Sequence, residues 1–387
     1  MRNKRLDILR CIAVLLVIRA HGEFSGQVTM AARVGVDLFF VLSGFLISGL
    51  LFTEYQKHGS IHFPRFFIRR SLKIYPGFYF LLLITLIYQI RFHQVAPLGR
   101  YIEQLLYVQN YGRVMWGHEW SLAVEEHFYI LLPLFLLLLV RRALPKEKGD
   151  PFRIMPVAFL IVAVACLVLR VLTVMKISTA DLQLWEGYRW AYATTHCRVD
   201  ALFFGVFLGY LYHFRPEILA AFTASNGRRV ALALLAAVLV SSCLIFAPSN
   251  RFMVTAGLTA LYLGFGIILI LCLQMQGVLP KTLARPCERL GTALAYIGMY
   301  SYSIYLWHKP VATWGLAFLR KFLHLSVGLW TGFTFYVVTS ILVGVLLAKV
   351  LEFPVLKLRD RLFPSMSPKS AYVFPSAEEN VPAAASR

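Results

Sequence analysis

RLDILRCIAVLLVIRAH, residues 5–21, decides how the rest of the chain is read. The run is apolar enough to enter a membrane, yet it carries Asp7, Arg10, Arg19 and His21. Ionisable side chains inside a membrane helix are costly, so each marks a functional hypothesis. Arg10 and His21 stand eleven positions apart. At about 100° per residue that is about three turns, which places both on nearly one face, roughly 16 Å apart along the axis. A cation low on the stripe and an imidazole high on it suit a long ligand, charged at one end and reactive at the other. The plainer reading is an arginine that snorkels to the interface and a packing histidine; the shared face weighs against it.

Composition agrees with a membrane setting. The chain has 387 residues, 59% of them hydrophobic and only 15% charged, with a mean hydropathy of +0.67. A soluble domain carries about a quarter charged residues. The expected class is therefore all-α: a polytopic protein partnered by the lipid bilayer. The net charge of +20 does not argue for nucleic acid, because the basic residues fall mostly in short loops where bilayer orientation explains them. The cysteines show no CxxC and no metal-ligand spacing, so neither a metal site nor a disulfide framework is expected. The N-terminus lacks a small-residue cleavage site and does not read as a removable signal.

About ten apolar spans follow one another, near residues 8–22, 34–53, 74–91, 122–140, 155–175, 198–213, 230–247, 253–273, 294–316 and 328–351. Lysine and arginine concentrate in alternate loops, which places both termini in the cytoplasm and requires an even number of spans. Residues 1–361 read as one membrane domain. The tail at 362–387, rich in Pro, Ala, Ser and Glu, is expected to be disordered and cytoplasmic.

Further polar residues punctuate these spans. Asp37 begins the second, where it could either fix the tautomer of His21 or pair with Arg33. Ser43 and Gly44 lack a GxSxG context and read as small residues for close helix packing. Arg69, Arg70 and Lys73 form a basic helical face that can clamp phosphates or touch anionic lipid heads. In WGHEWSLAVEEHFY (116–129), Trp116, Trp120 and Tyr129 could form an interfacial aromatic belt, but His118, Glu119, Glu125, Glu126 and His127 are more polar groups than a belt needs. Arg198 and Asp200 lead into the sixth span and could pair with each other. Tyr305 and His308, within MYSYSIYLWHKP (299–310), suit the wall of a site for a polar ring-shaped substrate.

Taken in order, these blocks resemble the acyltransferase type 3 family of integral-membrane, acyl-CoA-dependent O-acyltransferases. The resemblance rests on Arg10-x10-His21, GVDLFFVLSGFLI (35–47), RRSLKIYP (69–76), WSLAVEEHFY (120–129), HCRVDALFFG (196–205), YSYSIYLWHKP (300–310) and LEFPVLKLRDR (351–361). It implies an enzyme that transfers acyl groups other than aminoacyl groups, acetyl being the expected one, from cytoplasmic acyl-CoA to a hydroxyl of an envelope or secreted carbohydrate. It implies no permanently bound cofactor, and a bacterial inner membrane as location. Arg10, Arg69, Arg70 and Lys73 would hold the donor's phosphates. His21 would be the general base, oriented by Asp37 or Glu125. Trp120, Arg198, Asp200, Tyr305 and His308 would meet the acceptor. Lys73 stands where the family commonly has arginine, which keeps the charge and loses the bidentate fork. A hydrolase-like C-terminal domain, which some members append, is not expected here. The rival class is a proton-coupled transporter or exporter using His21, Asp37 and Glu125 as a relay; repeated halves and paired broken helices, the usual transporter signs, are not evident.

Overall fold

Helix α1 runs unbroken from Lys4 to His21, with the Asn3 side chain accepting the Arg5 N–H at its start. Arg10 and His21 therefore belong to one rigid rod. The computed structural model describes residues 3–22, 34–142, 150–274, 281–315, 317 and 328–364. The expected tail lies, but for its first residues, outside them, as does Arg33. The next helices are α2 (Gly35–His58), α3 (Phe63–Arg91), the short α4 (Leu98–Leu105) and α5 (Trp120–Arg142). Then come α6 (Met155–Met175), α7 (Thr179–Leu182), α8 (Trp185–Tyr192), α9 (Val199–Phe214), α10 (Pro216–Phe222) and α11 (Asn226–Ile245). The last group is α12 (Leu258–Gln274), α13 (Lys281–Met299), α14 (Ser301–Pro310), α15 (Leu329–Leu347) and α16 (Phe353–Leu362). Wider π-turns precede α12 and join α15 to α16.

Every regular element among the described residues is helical, and the chain is an integral, multi-pass membrane protein. Among these residues, 7 helices are long and apolar enough to cross a bilayer, and Val199–Phe214 is a shorter apolar one. The sequence reading also counts α1 and the α13–α14 stretch. These carry polar residues that turn inward: Asp7 on α1 is buried, and α14 buries Ser301, Ser303, Tyr305 and His308. The third span begins at Phe63 and not near residue 74, because its basic first turns continue the same helix.

Backbone contact at glycines holds the scaffold together. A Cβ on Gly44 of α2 would lie 1.9 Å from the Leu202 carbonyl oxygen of α9, and one on Gly205 would lie 2.3 Å from that of Val41. Gly298 on α13 meets Asp7 of α1 in the same way, at 1.8 Å. Small residues let membrane helices approach until their backbones touch. Gly44 therefore packs as its sequence context suggests. Ser43, its neighbour, does something else.

Candidate active site

An elongated cavity of about 230 Å³ lies between α1, α2, α3, α5 and α14. Val36 and Leu50 both line it; fourteen residues apart on α2, they give it a length of about 21 Å. Its sides are apolar, from Val36, Phe39, Leu46 and Ile74 among others. At the end near the start of α1 and α3 it carries Arg10, Arg70 and Lys73. The buried Glu352 lies in the field of Lys73 and Arg10. Arg70 donates to the Tyr129 hydroxyl at 2.6 Å, and Tyr129 donates to Glu125 at 2.5 Å. Ser43 donates to the other oxygen of Glu125 at 3.0 Å. The Arg70 Nε–H, by contrast, is buried without a hydrogen-bond partner. Glu125 is thus the carboxylate that orders the cavity wall around Arg70.

At the far end stand Tyr305 and Ser121. The Tyr305 hydroxyl donates to the His118 carbonyl at 2.8 Å and bonds to Ser121 Oγ. Behind Tyr305 three imidazoles are clustered, tilted and edge-on to one another. His308 lies between His21, at a ring-centroid separation of 4.9 Å, and His118, at 4.7 Å. Carbonyl oxygens accept only, which settles the protons. His308 Nδ1–H donates to the Tyr305 carbonyl, so His308 Nε2 carries a lone pair. That lone pair faces His21 Nδ1 at 3.2 Å, and Nδ1 also lies 3.0 Å from the Val17 carbonyl. The proton of neutral His21 therefore sits on Nδ1, and Nε2 is left basic. His118 donates Nε2–H to the Leu306 carbonyl at 3.1 Å, its Nδ1 is unpartnered, and burial holds its basicity well below that of an ordinary imidazole.

A second cavity, of about 390 Å³, opens among the loops that follow α3 and α6. Its walls include Arg100, Gln109, Asn110, Arg113, Trp120 and Trp185. The chain between residues 117 and 121 separates the two spaces. Gly117 and Trp120 line the second cavity, Ser121 lines the first, and His118 meets His308 edge-on. Next to it, burial pushes the Glu119 carboxyl up to about 8, although it accepts the Trp116 N–H.

Several expected contacts resolve differently. Asp37 and Glu125 do not touch His21; the partner of Asp37 is Arg198, at 2.6 Å, with both side chains 1% exposed. Asp200 pairs not with Arg198 but with Arg170 of α6, at 2.8 Å. Arg198 is enclosed by the rings of Phe40, Trp120 and Tyr192. Arg198 and Asp200 thus belong to a buried network tying α9 to α2 and α6, and they line neither cavity. Buried charges survive only when paired, and this is where these found partners. Arg69 leaves the basic cluster as well. It binds Asp360 at 3.0 Å and donates to the Phe363 carbonyl, fastening α16 to α3. One turn has two sides, and only Arg70 and Lys73 look into the cavity. Trp120 and Tyr305 are each at a cavity wall, and His308 orients His21. The sequence reading gave neither His118 nor Glu352 a site role. His118 stood out only as one of several excess polar groups; the signal for Glu352 was a carboxylate directly at the end of the last apolar span.

Fold and site together define a class: a helical membrane enzyme with a tunnel that is basic at one end and closed at the other by Tyr305, behind which the histidines cluster. The acyltransferase domain family model matches residues 3–349, and the chain belongs to that family of acyl-transferring proteins. It is 27% identical over 333 residues to the peptidoglycan O-acetyltransferase OatA of Listeria monocytogenes, covering 80% of this chain and 49% of that protein. It is likewise 27% identical to the O-acetyltransferase OatA of Staphylococcus aureus over 326 residues, 79% of this chain and 50% of that one. The chain spans about half the length of these curated relatives. No solved structure matches it.

Proposed function

We propose that the protein is a membrane O-acetyltransferase. It takes an acetyl group from acyl-CoA bound at Arg10, Arg70 and Lys73, and passes it to a carbohydrate hydroxyl that arrives from the opposite face. The observation that carries this reading is one cavity that begins at three cations and ends at Tyr305, with the three imidazoles directly behind that ring. Phosphates match guanidinium and ammonium donors, and the unpartnered Arg70 Nε–H is one such donor. The narrow apolar middle suits an extended acyl carrier. His21 Nε2 takes the acceptor proton as the hydroxyl oxygen attacks the thioester carbonyl. The carbon–sulfur bond breaks, and the leaving thiolate takes the proton back. General-base assistance of this kind contributes about 10²–10⁴-fold. The relatives' names, which specify O-acetyl transfer and in one case peptidoglycan, support acetyl and a glycan as the pair.

The test uses purified protein in nanodiscs with radiolabelled acetyl-CoA and a panel of envelope glycans. Label transfer by wild type, lost in His21→Ala with acetyl-CoA binding retained, is the expected result. Failure of well-folded wild type to bind any acyl-CoA of a chain-length series would overturn the reading.

A further inference from the structure

The second cavity carries polar groups that the scaffold leaves unused. Gln109 is buried and spends its Nε2–H on the Glu119 carbonyl at 3.1 Å; its Oε1 has no partner. Asn110, 2% exposed, donates through Nδ2 to Thr195 Oγ1 at 2.9 Å and to the Ala193 carbonyl at 3.3 Å; its Oδ1 has none. Both amides face carbonyl oxygens through nitrogen, so the unused atoms are their oxygens, and these accept only. A buried polar atom without a partner is costly. Two on adjacent wall residues define a place where a ligand presents O–H or N–H donors.

Charge adds a second requirement. Arg189 is committed to Glu186 at 2.7 Å and to the Gly112 carbonyl at 3.0 Å. Arg100 and Arg113 also line the cavity, yet neither guanidinium has a hydrogen-bond or ion-pair partner among the described residues. The nearby Glu103 carboxylate is turned onto the Arg113 backbone N–H, at 3.0 Å. The lining therefore keeps two uncommitted cations beside two uncommitted acceptors. Trp120 and Trp185 supply apolar ring faces, and about 390 Å³ falls within the usual range of roughly 300–1,000 Å³ for a small-molecule site.

We infer that this cavity is the acceptor site and that it selects an acidic saccharide. Sugar hydroxyls or an acetamido N–H would bond to Gln109 and Asn110, and a carboxylate or phosphate on the same unit would bond to Arg100 and Arg113. This rests on the proposed O-acetyl transfer, because only the 117–121 segment separates the cavity from the histidine cluster.

Equilibrium binding to full-length protein in zwitterionic nanodiscs tests it without catalysis. The probes are an N-acetylglucosaminyl–N-acetylmuramic acid disaccharide, which bears a carboxylate, and neutral chitobiose. The acidic disaccharide should bind about tenfold or more tightly than chitobiose. Arg100→Gln with Arg113→Gln should bring it to the neutral level, leaving chitobiose and acetyl-CoA binding unchanged. Equal affinity for the two sugars, no binding of either, or indifference to the arginines would overturn the inference. So would displacement of the acidic sugar by anionic lipid, which would make the cavity a headgroup site. Acetyl-CoA binding and turnover, measured on the same samples, report separately on the proposed reaction.

Discussion

His308 Nε2 faces His21 Nδ1 at 3.2 Å, and the Val17 carbonyl lies 3.0 Å from the same nitrogen. Two acceptors thus hold one proton on Nδ1 and aim the basic lone pair of Nε2 elsewhere. Imidazole partners that fix a tautomer are positioning groups, and losing one lets the wrong tautomer compete. His308→Ala should lower turnover about 10²-fold with little change in acyl-CoA affinity. His308→Gln, whose side-chain oxygen can still accept, should recover part of the loss. Equal loss in both, or weaker donor binding, would count against the positioning role.

Arg70 and Lys73 line the first cavity, whereas Arg69 holds α16. Charge-assisted hydrogen bonds are worth about 1.5–3 kcal/mol each. Arg70→Ala and Lys73→Ala should each weaken acetyl-CoA binding roughly tenfold to a hundredfold by titration calorimetry. Arg69→Ala should leave binding nearly intact and loosen the C-terminal helix, seen as faster proteolysis there.

The Asp37–Arg198 pair is buried on both sides. Removing one member leaves a charge with no water and no partner, which costs about 3–5 kcal/mol. Arg198→Ala and Asp37→Ala should therefore lower the melting temperature in detergent markedly. The double variant should be less damaged than the sum of the two. A melting curve unmoved by either substitution would refute the structural assignment.

Burial lifts Glu119 up to about 8, from an ordinary 4.5. A raised carboxyl favours the fold in its protonated form. Its contribution is complete below about 4.5 and is lost as pH climbs toward about 8. Thermal stability should fall across that window in wild type and flatten in Glu119→Gln, which keeps the shape without the proton.

Helical periodicity and hydropathy made the architecture legible, since apolar runs of membrane length carry their own address. The Arg10–His21 stripe was readable for the same reason: spacing along one helix is local geometry. Partner choice was not. On sequence alone Asp37 could meet His21 or Arg33, and tertiary packing of α9 against α2 gives it Arg198 instead. Arg69 and Arg70 are adjacent in sequence yet serve different elements, because successive residues on a helix diverge by about 100°. His118 and the pair Gln109–Asn110 sit in irregular backbone, where no period announces which way a side chain turns.

The glycine seam of α2 and α9 has a mechanical meaning. Where an oxygen rests directly against an α-carbon, no layer of rotatable groups lies between the rods to let one slide or rock past the other. Carriers that ferry whole solutes swing one bundle against its counterpart. Here the middle of the molecule is clamped like a bulkhead, and an alanine at Gly44 or Gly205 would force the clamp apart. Such a wall suits the proposed transfer as a relay: the carrier would stay on one side, the recipient on the other, and only the small cargo would change hands.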